Sequence, residues 1–327
     1  MGSGKNYIAK AQGTNPYENL AFESLIAGSL GPDDAALFLW QNEKTVVVGV
    51  NQNVWAECRC EQLLKDGGKT ARRSSGGGAV YHDTGNLNFT FAMSPARFDL
   101  EKQQGVVCSA LSSLGANARP SGRNDITVGG RKVSGCAFKH TRGCSLQHGT
   151  LMVDVDLDAL EGYLSPPAEK MQAKGVASVR SRVANLKDIA SGITVDALAD
   201  ALESGFKEAF GETVPLTLSD LDAAEYARLV DMYSSWDWIY GESPRFDVQL
   251  VHRFDWGGVE LRLQVDDGVI QHARLYTDSM DDSLSGVVEK ALTGCRYGLR
   301  MAETLFLLHS NSEQVESLAV FLNKSLG

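Results

Sequence analysis

Apolar and polar residues recur with two distinct periods along the first two thirds of the chain. After Asn15 and Pro16, which suit the start of a helix, apolar residues follow helical spacing toward Gly28. Residues 35–41 and 45–50 are rich in strand-forming residues, and a short polar stretch separates them. The pattern predicts a helix followed by a β-hairpin.

A glycine-rich loop interrupts the β-rich residues 71–92, which predicts the order strand, loop, strand, turn, strand. A second hairpin is predicted where residues 126–128 and 131–138 flank Gly129 and Gly130, because two glycines suit the positive φ angles of a tight turn. The further elements predicted in this region are a strand at 148–154 and helices at 100–114, 157–164, 194–210 and 223–233.

The pattern changes after Pro244, where strand-like segments precede helical ones. Alternating apolar residues occupy 246–254, 259–265 and 269–277, and glycine-containing turns separate them. Strands followed by helices indicate a separate small domain. We therefore predict an α/β (α+β) protein with a large first domain over residues 1–243 and a small C-terminal α+β domain, with a three-stranded sheet, over 244–327.

Composition and charge exclude several classes of protein. The 327 residues are 43% hydrophobic and 22% charged, which is enough for folded cores in about two domains. A net charge of −10 disfavours binding to nucleic acid, and no apolar run is long enough to span a membrane. The six cysteines are too sparse for a disulfide framework and lack zinc-site spacing, which favours reduced thiols and the cytoplasm.

The segment from Arg72 to Gly78 combines two arginines, two serines and three glycines. Consecutive glycines allow backbone N–H groups to turn toward an anion, and arginines supply paired donors for phosphate or carboxylate. The segment is not a Walker loop, because no Gly-Lys-Ser/Thr follows. By itself it is equally compatible with a flexible glycine turn.

Lys132 follows the predicted tight turn and is a candidate to place a positive charge on a phosphate or carboxylate. Strand alternation predicts that Lys132, Ser134 and Cys136 share one face. Asp125 precedes the same hairpin and is a candidate to hold a metal or to orient the lysine. An exposed lysine and an ordinary turn aspartate are the simpler interpretations of both residues.

Two histidines begin or end predicted strands. His82 and His148 are candidates to orient a substrate, although a histidine that simply packs at a strand end is commoner. Trp40 and residues 47–50 are candidates for an apolar slot, and they are equally compatible with a core.

Several ordered segments together resemble the lipoate–protein ligase family of bacterial type. They cover nearly the whole chain, and their order makes the resemblance far more specific than any single motif. The segments are NPYENLAFE (15–23), NQNVWAE (51–57), RRSSGGGAVYHDTGN (72–86), GRNDI (122–126), RKVSG (131–135), HGTL (148–151), VASVRSRVANL (176–186) and WGGVEL (256–261).

The resemblance implies a catalytic domain built around a mixed sheet and related to biotin ligases. It implies that free lipoate reacts with ATP and Mg²⁺ to give lipoyl-AMP and pyrophosphate, after which the lipoyl group passes to a lysine ε-amine. The acceptors would be the lipoyl domains of 2-oxoacid dehydrogenase E2 subunits and the H protein of glycine cleavage. We expect a cytoplasmic monomer that binds neither nucleic acid nor membrane.

The resemblance also assigns roles to residues. Lys132 would be catalytic and bridge the lipoyl carbonyl and the α-phosphate, Arg73 would contact the adenylate, and Asp125 is a candidate ligand for Mg²⁺. The full set expected to bind ATP or lipoyl-adenylate is Arg73, Ser75, Gly76, Gly77, Gly78, Ala79, Val80, Tyr81, Asp125, Lys132 and His148.

Three alternatives remain open at this point. An octanoyl or lipoyl transferase of the same fold would use a cysteine thioester; residues 164–168 hold no cysteine, which leaves Cys136 and Cys144 as candidates. A biotin ligase is less similar in the segment 72–82. A non-catalytic acyl-nucleotide sensor is compatible with the same spacing.

Overall fold

The computed structural model describes residues 4–326 except 51, 53, 123, 165–182, 242–245, 278, 280, 282, 299 and 309–311. The chain forms two compact units, residues 1–242 and 243–327. Most of the family-like segment 176–186 lies outside the described residues, as does the predicted boundary between residues 243 and 244.

The first unit is built on two β-sheets. Its strands are β1 (Asn6–Lys10), β2 (Ala35–Trp40), β3 (Thr45–Val48), β4 (Lys69–Arg72), β5 (Val80–His82), β6 (Asn86–Met93), β7 (Ala118–Ser121), β8 (Asp125–Val128), β9 (Arg131–His140), β10 (Ser145–Met152) and β11 (Thr213–Pro215). The larger sheet has the order β11-β1-β2-β6-β10-β9-β8-β7. Strand β1 is parallel to β2 and β11, whereas the other pairs are antiparallel, so the sheet is mixed as expected.

The helices of this unit are α1 (Pro16–Ser29), α2 (Val54–Glu57), α3 (Cys60–Lys65), α4 (Leu100–Ser113), α5 (Leu157–Tyr163), α6 (Val195–Phe210) and α7 (Ala223–Ser234). Helices α1 and α7 pack on one face of the larger sheet and α4 and α6 on the other, whereas α3 and α5 pack on the smaller sheet. The predicted start of α1 is confirmed, because the Asn15 side chain accepts a hydrogen bond from the Tyr17 N–H. Asp99, Thr194 and Asp222 cap α4, α6 and α7 in the same way.

Strand β6 separates an apolar core from a polar interior. Its residues Leu87, Phe89 and Phe91 pack into the core that α4 and α6 cover. Because strand residues alternate, Asn88 and Thr90 face the other way and are nevertheless buried. Buried polar side chains need hydrogen-bond partners. Their presence on this second face therefore indicates that these residues have a role other than apolar packing.

The predicted hairpin between residues 35–41 and 45–50 is wrong. Strand β2 pairs with β1 and β6 in the larger sheet, whereas β3 is the centre of the three-stranded sheet β4-β3-β5. The connection contains Asn42, which is fully buried and hydrogen-bonded to Asn19 and His82. These contacts anchor the connection in the interior, and the chain leaves the first sheet instead of turning back along it.

The second unit has the predicted order of elements. Strands β12 (Phe246–Phe254), β13 (Gly257–Asp266) and β14 (Val269–Thr277) form an antiparallel sheet. Helices α8 (Leu284–Leu292), α9 (Arg300–Leu308) and α10 (Glu313–Leu326) follow. One core joins the sheet to the helices through residues such as Leu261, Val288 and Leu318. Within the described chain, no helix is both long and apolar enough to cross a membrane.

Candidate active site

The loop between β4 and β5 is held in shape by Arg73. Its guanidinium is buried and donates to the carbonyl oxygens of Gly76 (2.7 Å), Gly78 (2.8 Å) and Val47 (3.2 Å). Its Nε donates to Ser75 Oγ at 3.1 Å. Burial lowers the pKa of Arg73 to about 10, whereas the negative charge of Glu23 acts in the opposite direction and raises it. Because this pKa is still well above 7, the side chain remains a cation at neutral pH.

Two glycines are required by the shape of this loop. Gly77 has φ +95°, a left-handed conformation that side chains disfavour. Gly49 approaches the loop so closely that a Cβ on it would lie 2.3 Å from the Gly77 carbonyl oxygen. The Val50 N–H donates to the Ser75 carbonyl at 2.9 Å, which fastens the two segments together.

Arg72 does not offer its donors to a ligand. This differs from the sequence-based interpretation, in which both arginines supply donors to a phosphate or carboxylate. Its side chain is fully buried, and it donates to the backbone carbonyls of residues 49, 50, 52, 238 and 239. Strand alternation explains the difference, since adjacent residues at the end of β4 point to opposite sides. Arg72 is therefore structural.

The hairpin that carries Lys132 is confirmed. Gly129 and Gly130 have φ angles of +58° and +79° and connect β8 to β9. The Lys132 ammonium lies 2.8 Å from Asp125 Oδ1, and the two side chains are 37% and 35% exposed. The pair thus lies at the surface end of the site, within reach of solvent and substrate.

The prediction that Lys132, Ser134 and Cys136 share a face is wrong. Ile126 pairs with Ser134 and Thr127 with Lys132, so β9 contains an extra residue, a β-bulge. The bulge shifts the alternation by one position. Lys132 consequently lies over Gly135, where a Cβ would come within 2.9 Å of its Nζ.

A buried chain of hydrogen bonds crosses the polar face of the sheet behind the loop. The Thr90 hydroxyl donates to Glu23 Oε1 at 2.6 Å, and the same oxygen lies 2.8 Å from His148 Nδ1. His148 Nε2 lies 2.7 Å from Ser75 Oγ, which also accepts from Arg73. The chain connects helix α1 to the glycine-rich loop, and it fixes the position of the predicted site residues Ser75 and His148.

A cavity of about 140 Å³ lies between the two sheets. Most of the predicted site residues line it: Arg73, Gly77, Gly78, Ala79, Val80, Lys132 and His148, together with Trp40 and Val47 of the proposed acyl slot. Ser75, Gly76 and Asp125 contact lining residues without lining it themselves. Tyr81 lies elsewhere: it packs in the core on the far side of the small sheet, with its ring centroid 5.7 Å from that of Tyr163.

The cavity has an exposed mouth and a buried inner end. Lys132 lies at the mouth, whereas Trp40, His82 and Asn88 are 4%, 3% and 1% exposed. Burial, reinforced by the charges of Arg73 and His148, lowers the pKa of His82 to about 3 and keeps its ring neutral.

Sequence reasoning assigned no role to three polar residues of the site: Glu23, Asn88 and Asn124. His82 was a candidate to orient a substrate, but it was not included in the set expected to bind the adenylate, although it lines the cavity. Alternation along β5 places Val80 and His82 on one face and Tyr81 on the other, so accepting Val80 as a lining residue implies His82 rather than Tyr81.

Neither candidate thiol has the surroundings of a nucleophile. Cys136 lines the cavity, but it is buried and burial raises the pKa of its thiol. Cys144 lies in the core beneath α1, and burial raises its pKa as well. A raised pKa reduces the thiolate fraction that a thioester mechanism needs.

Two family models match this chain. Residues 15–207 match the lipoyl protein ligase A/B catalytic domain, and residues 243–304 match the bacterial lipoate protein ligase C-terminus. The first match contains the glycine-rich loop, the Lys132 hairpin and the buried chain from Glu23 to Ser75.

Individual relatives agree with these models. The chain is 40% identical over 301 residues to a lipoate-protein ligase A of Psychrobacter cryohalolentis, which covers 89% of this chain and 88% of the relative. A crystal structure of P. falciparum LipL1 in complex with lipoate is 25% identical with a TM-score of 0.64 and covers 98% of this chain and 99% of its own. A lipoate-protein ligase A bound with ATP is 29% identical with a TM-score of 0.63 and covers 74% of this chain and 100% of its own. The chain therefore belongs to the lipoate–protein ligase A family.

Proposed function

We propose that this protein activates free lipoate with ATP and transfers the lipoyl group to a lysine of a carrier protein. The observation that carries the proposal is the cavity, which joins a buried inner end to a cationic mouth. An acyl chain would occupy the buried inner end, and its carboxylate would then lie at the mouth, beside Lys132, where it would meet a nucleotide phosphate. Membership of the family and the lipoate-bound and ATP-bound relatives support the same activity.

The first half-reaction brings two anions together. A lipoate carboxylate oxygen attacks the α-phosphorus of ATP, forming the acyl-phosphate bond, and pyrophosphate leaves with the bonding electrons. Lys132 would exchange its contact with Asp125 for oxygens of the carboxylate and the α-phosphate, offsetting their repulsion and the charge that develops on the phosphate. Arg73 would support this through the loop it holds and through its own positive charge.

In the second half-reaction, the lysine amine of the carrier attacks the lipoyl carbonyl carbon. The lysine ammonium first gives up one proton to become the attacking amine; the amide bond then forms, the bond to AMP breaks, and the nitrogen releases a second proton to solvent while it keeps the amide N–H. AMP leaves as an anion, and Lys132 would stabilise it with the same ammonium group.

We propose that Mg²⁺ enters with the ATP phosphates and that Asp125 is the protein group nearest to it. Among the described residues, no cluster of three or more His, Cys, Asp or Glu is arranged to hold a metal. A single carboxylate at the mouth still fits Mg²⁺, which keeps several waters and is commonly held by one or two carboxylates together with substrate phosphates. When bound, Mg²⁺ would neutralise charge on the departing pyrophosphate.

The carriers that we propose are the lipoyl domains of E2 subunits and the H protein of glycine cleavage. The archaeal lipoylation system of Thermoplasma acidophilum, a bipartite lipoate protein ligase and its E2 lipoyl domain, supports the first of these; its solved structure is 30% identical, covers 75% of this chain and 100% of its own, and has a TM-score of 0.65. We propose a monomer that works in the cytoplasm. The six unpaired thiols are consistent with a reducing compartment.

We also propose that residues 1–243 are the catalytic domain and residues 244–327 an accessory domain. The division of the chain near residue 242 supports this arrangement, as do the separate matches to a catalytic model and a C-terminal model. The glycine-rich loop, Lys132 and the cavity all belong to the first unit.

Intact-mass spectrometry of an apo lipoyl domain tests the activity. The domain is incubated with the protein, Mg²⁺, ATP and free lipoate, beside reactions that lack ATP or that replace lipoate with an octanoyl carrier. We expect a lipoyl mass increase that requires ATP. Acyl transfer from the octanoyl carrier without ATP, and no reaction of the free acid, would instead establish a transferase.

A further inference from the structure

His82 presents an unpaired N–H group to the inner end of the cavity. The Asn19 amide nitrogen donates to the Gly13 and Gln41 carbonyls, and also to Asn42 Oδ1 at 3.0 Å. This orients the Asn42 amide, whose nitrogen lies 3.1 Å from His82 Nδ1. Nδ1 must therefore accept, and in a neutral imidazole the proton is then on Nε2. Nε2 is buried and has no hydrogen-bond partner among the described residues.

A second buried donor lies near the first. Asn88 Oδ1 accepts from Asn86 at 2.9 Å, while Asn88 Nδ2 has no partner in the part of the chain that the structure describes. Asn88 pairs with Trp40 across β6 and β2, and the Trp40 ring centroid is 6.0 Å from that of His82. All three residues line the same cavity.

Buried donors without acceptors are unfavourable, because they lose their hydrogen bonds to water and gain none in return, and native proteins rarely keep them without a purpose. A ligand that fills the inner end must replace the hydrogen bonds that water would make there, or lose affinity. The ligand group that enters should therefore carry acceptor atoms. A hydrocarbon end would leave both donors unpaired.

We infer that His82 and Asn88 select acyl chains whose far end carries hydrogen-bond acceptors, and that they recognise the sulfur atoms of the lipoate ring. This inference rests on the proposed function. Divalent sulfur is a weak but real acceptor, and the far end of an acyl chain would reach His82 and Asn88 when its carboxylate lies beside Lys132, because all three residues line the same cavity. The two donors thus discriminate a dithiolane from a saturated acyl end of equal size.

A shape-matched pair of acids separates hydrogen bonding from size. The carbocyclic analogue of lipoate, 5-cyclopentylpentanoate, replaces both sulfurs with methylene groups and keeps the ring and the chain. ATP–pyrophosphate exchange is measured with each acid, without thiol reductants, and kcat/KM is compared. We expect the wild type to prefer lipoate by roughly fivefold or more, the effect of one donor left without an acceptor.

Variants locate the source of the preference. His82→Phe and Asn88→Leu each remove one donor at similar size, and we expect the ratio of the two kcat/KM values to fall toward unity in both. Ser94→Ala is the matched control, because it removes another buried polar group that has no partner among the described residues but lies directly after β6, outside the cavity lining; we expect it to retain the preference.

The outcomes are distinguishable. Equal use of the two acids by the wild type would overturn the inference, as would an unchanged preference in His82→Phe or an equal collapse in all three variants. Exchange with neither acid would contradict the proposed function itself.

Discussion

Glu23 Oε1 lies 2.8 Å from His148 Nδ1, although 125 residues separate them in the sequence. The contact joins helix α1 to strand β10 across the polar face of the large sheet. Through Ser75 it continues to the loop that the proposed mechanism uses. The buried carboxylate of Glu23 on helix α1 therefore helps to hold His148 and, through it, Ser75 in position.

We expect Glu23→Gln to reduce the free energy of unfolding by about 1–3 kcal/mol at neutral pH, because one buried partner of His148 and Thr90 is weakened. Burial alone would raise the pKa of Glu23, but the charge of His148 and the hydrogen bonds from His148 and Thr90 lower it below 4.5. The carboxylate therefore contributes stability above pH 4.5 that is lost as the pH falls through the lower folded-state value.

Urea unfolding at a series of pH values measures this difference. The gap between wild type and Glu23→Gln should be largest near neutrality and narrow in acid. Glu208→Gln, at an exposed position, is the control and should show little change at any pH. A gap that widens on acidification would contradict the assignment.

His82 should make the protein less stable in acid. Its ordinary pKa of 6.5 is lowered to about 3 in the fold, so between these values the unfolded chain binds a proton that the folded chain does not. Unfolding then becomes more favourable by about 1.4 kcal/mol per pH unit as the pH falls. The same titration on His82→Phe should lack this slope, whereas the exposed His272→Phe should keep it.

Loss of Lys132 should strongly slow adenylation and leave the fold intact. We expect Lys132→Ala to slow ATP–pyrophosphate exchange by about 100-fold or more, as for other groups that stabilise developing charge. Arg131→Ala removes an exposed cation from the adjacent position and should retain near-normal exchange. Unchanged exchange in Lys132→Ala, with thermal melting confirming the fold, would reject the proposed role.

Gly135 should be needed for the position of Lys132. A methyl group there would lie 2.9 Å from the ammonium and 3.0 Å from Cε, and the flexible lysine would yield rather than the backbone. We expect Gly135→Ala to fold but to slow exchange by about 10- to 100-fold through misplacement of the charge. Gly143→Ala, where a Cβ meets nothing within 4 Å, is the control. Equal rates in both variants would show that Lys132 acts from another position.

The thiols should be dispensable. Because burial raises the pKa of both Cys136 and Cys144, we expect the double variant Cys136→Ser, Cys144→Ser to keep ATP-dependent lipoylation of the carrier. Intact-mass spectrometry of the carrier checks this. Loss of lipoylation in a folded double variant would revive the thioester mechanism.

The sequence by itself determined the elements whose signals are local. Asn15 and Pro16 start α1, and Gly129 and Gly130 make the turn before Lys132. Three strands and then helices form the second unit. Capping, turn and alternation patterns involve residues close in the chain, so they can be read without the fold. Ordered motifs were likewise sufficient for the family.

Only the tertiary structure decided which sheet each strand joins and which side chains meet. The pairing of β2 with β6 depends on contacts far apart in sequence, and the bulge in β9 is set by its register with β8. The meeting of Glu23, His148 and Ser75, and that of Asn42 with His82, likewise depend on long-range packing. Hydrophobic patterning fixes which face of an element is buried, but it does not specify the partner that covers that face.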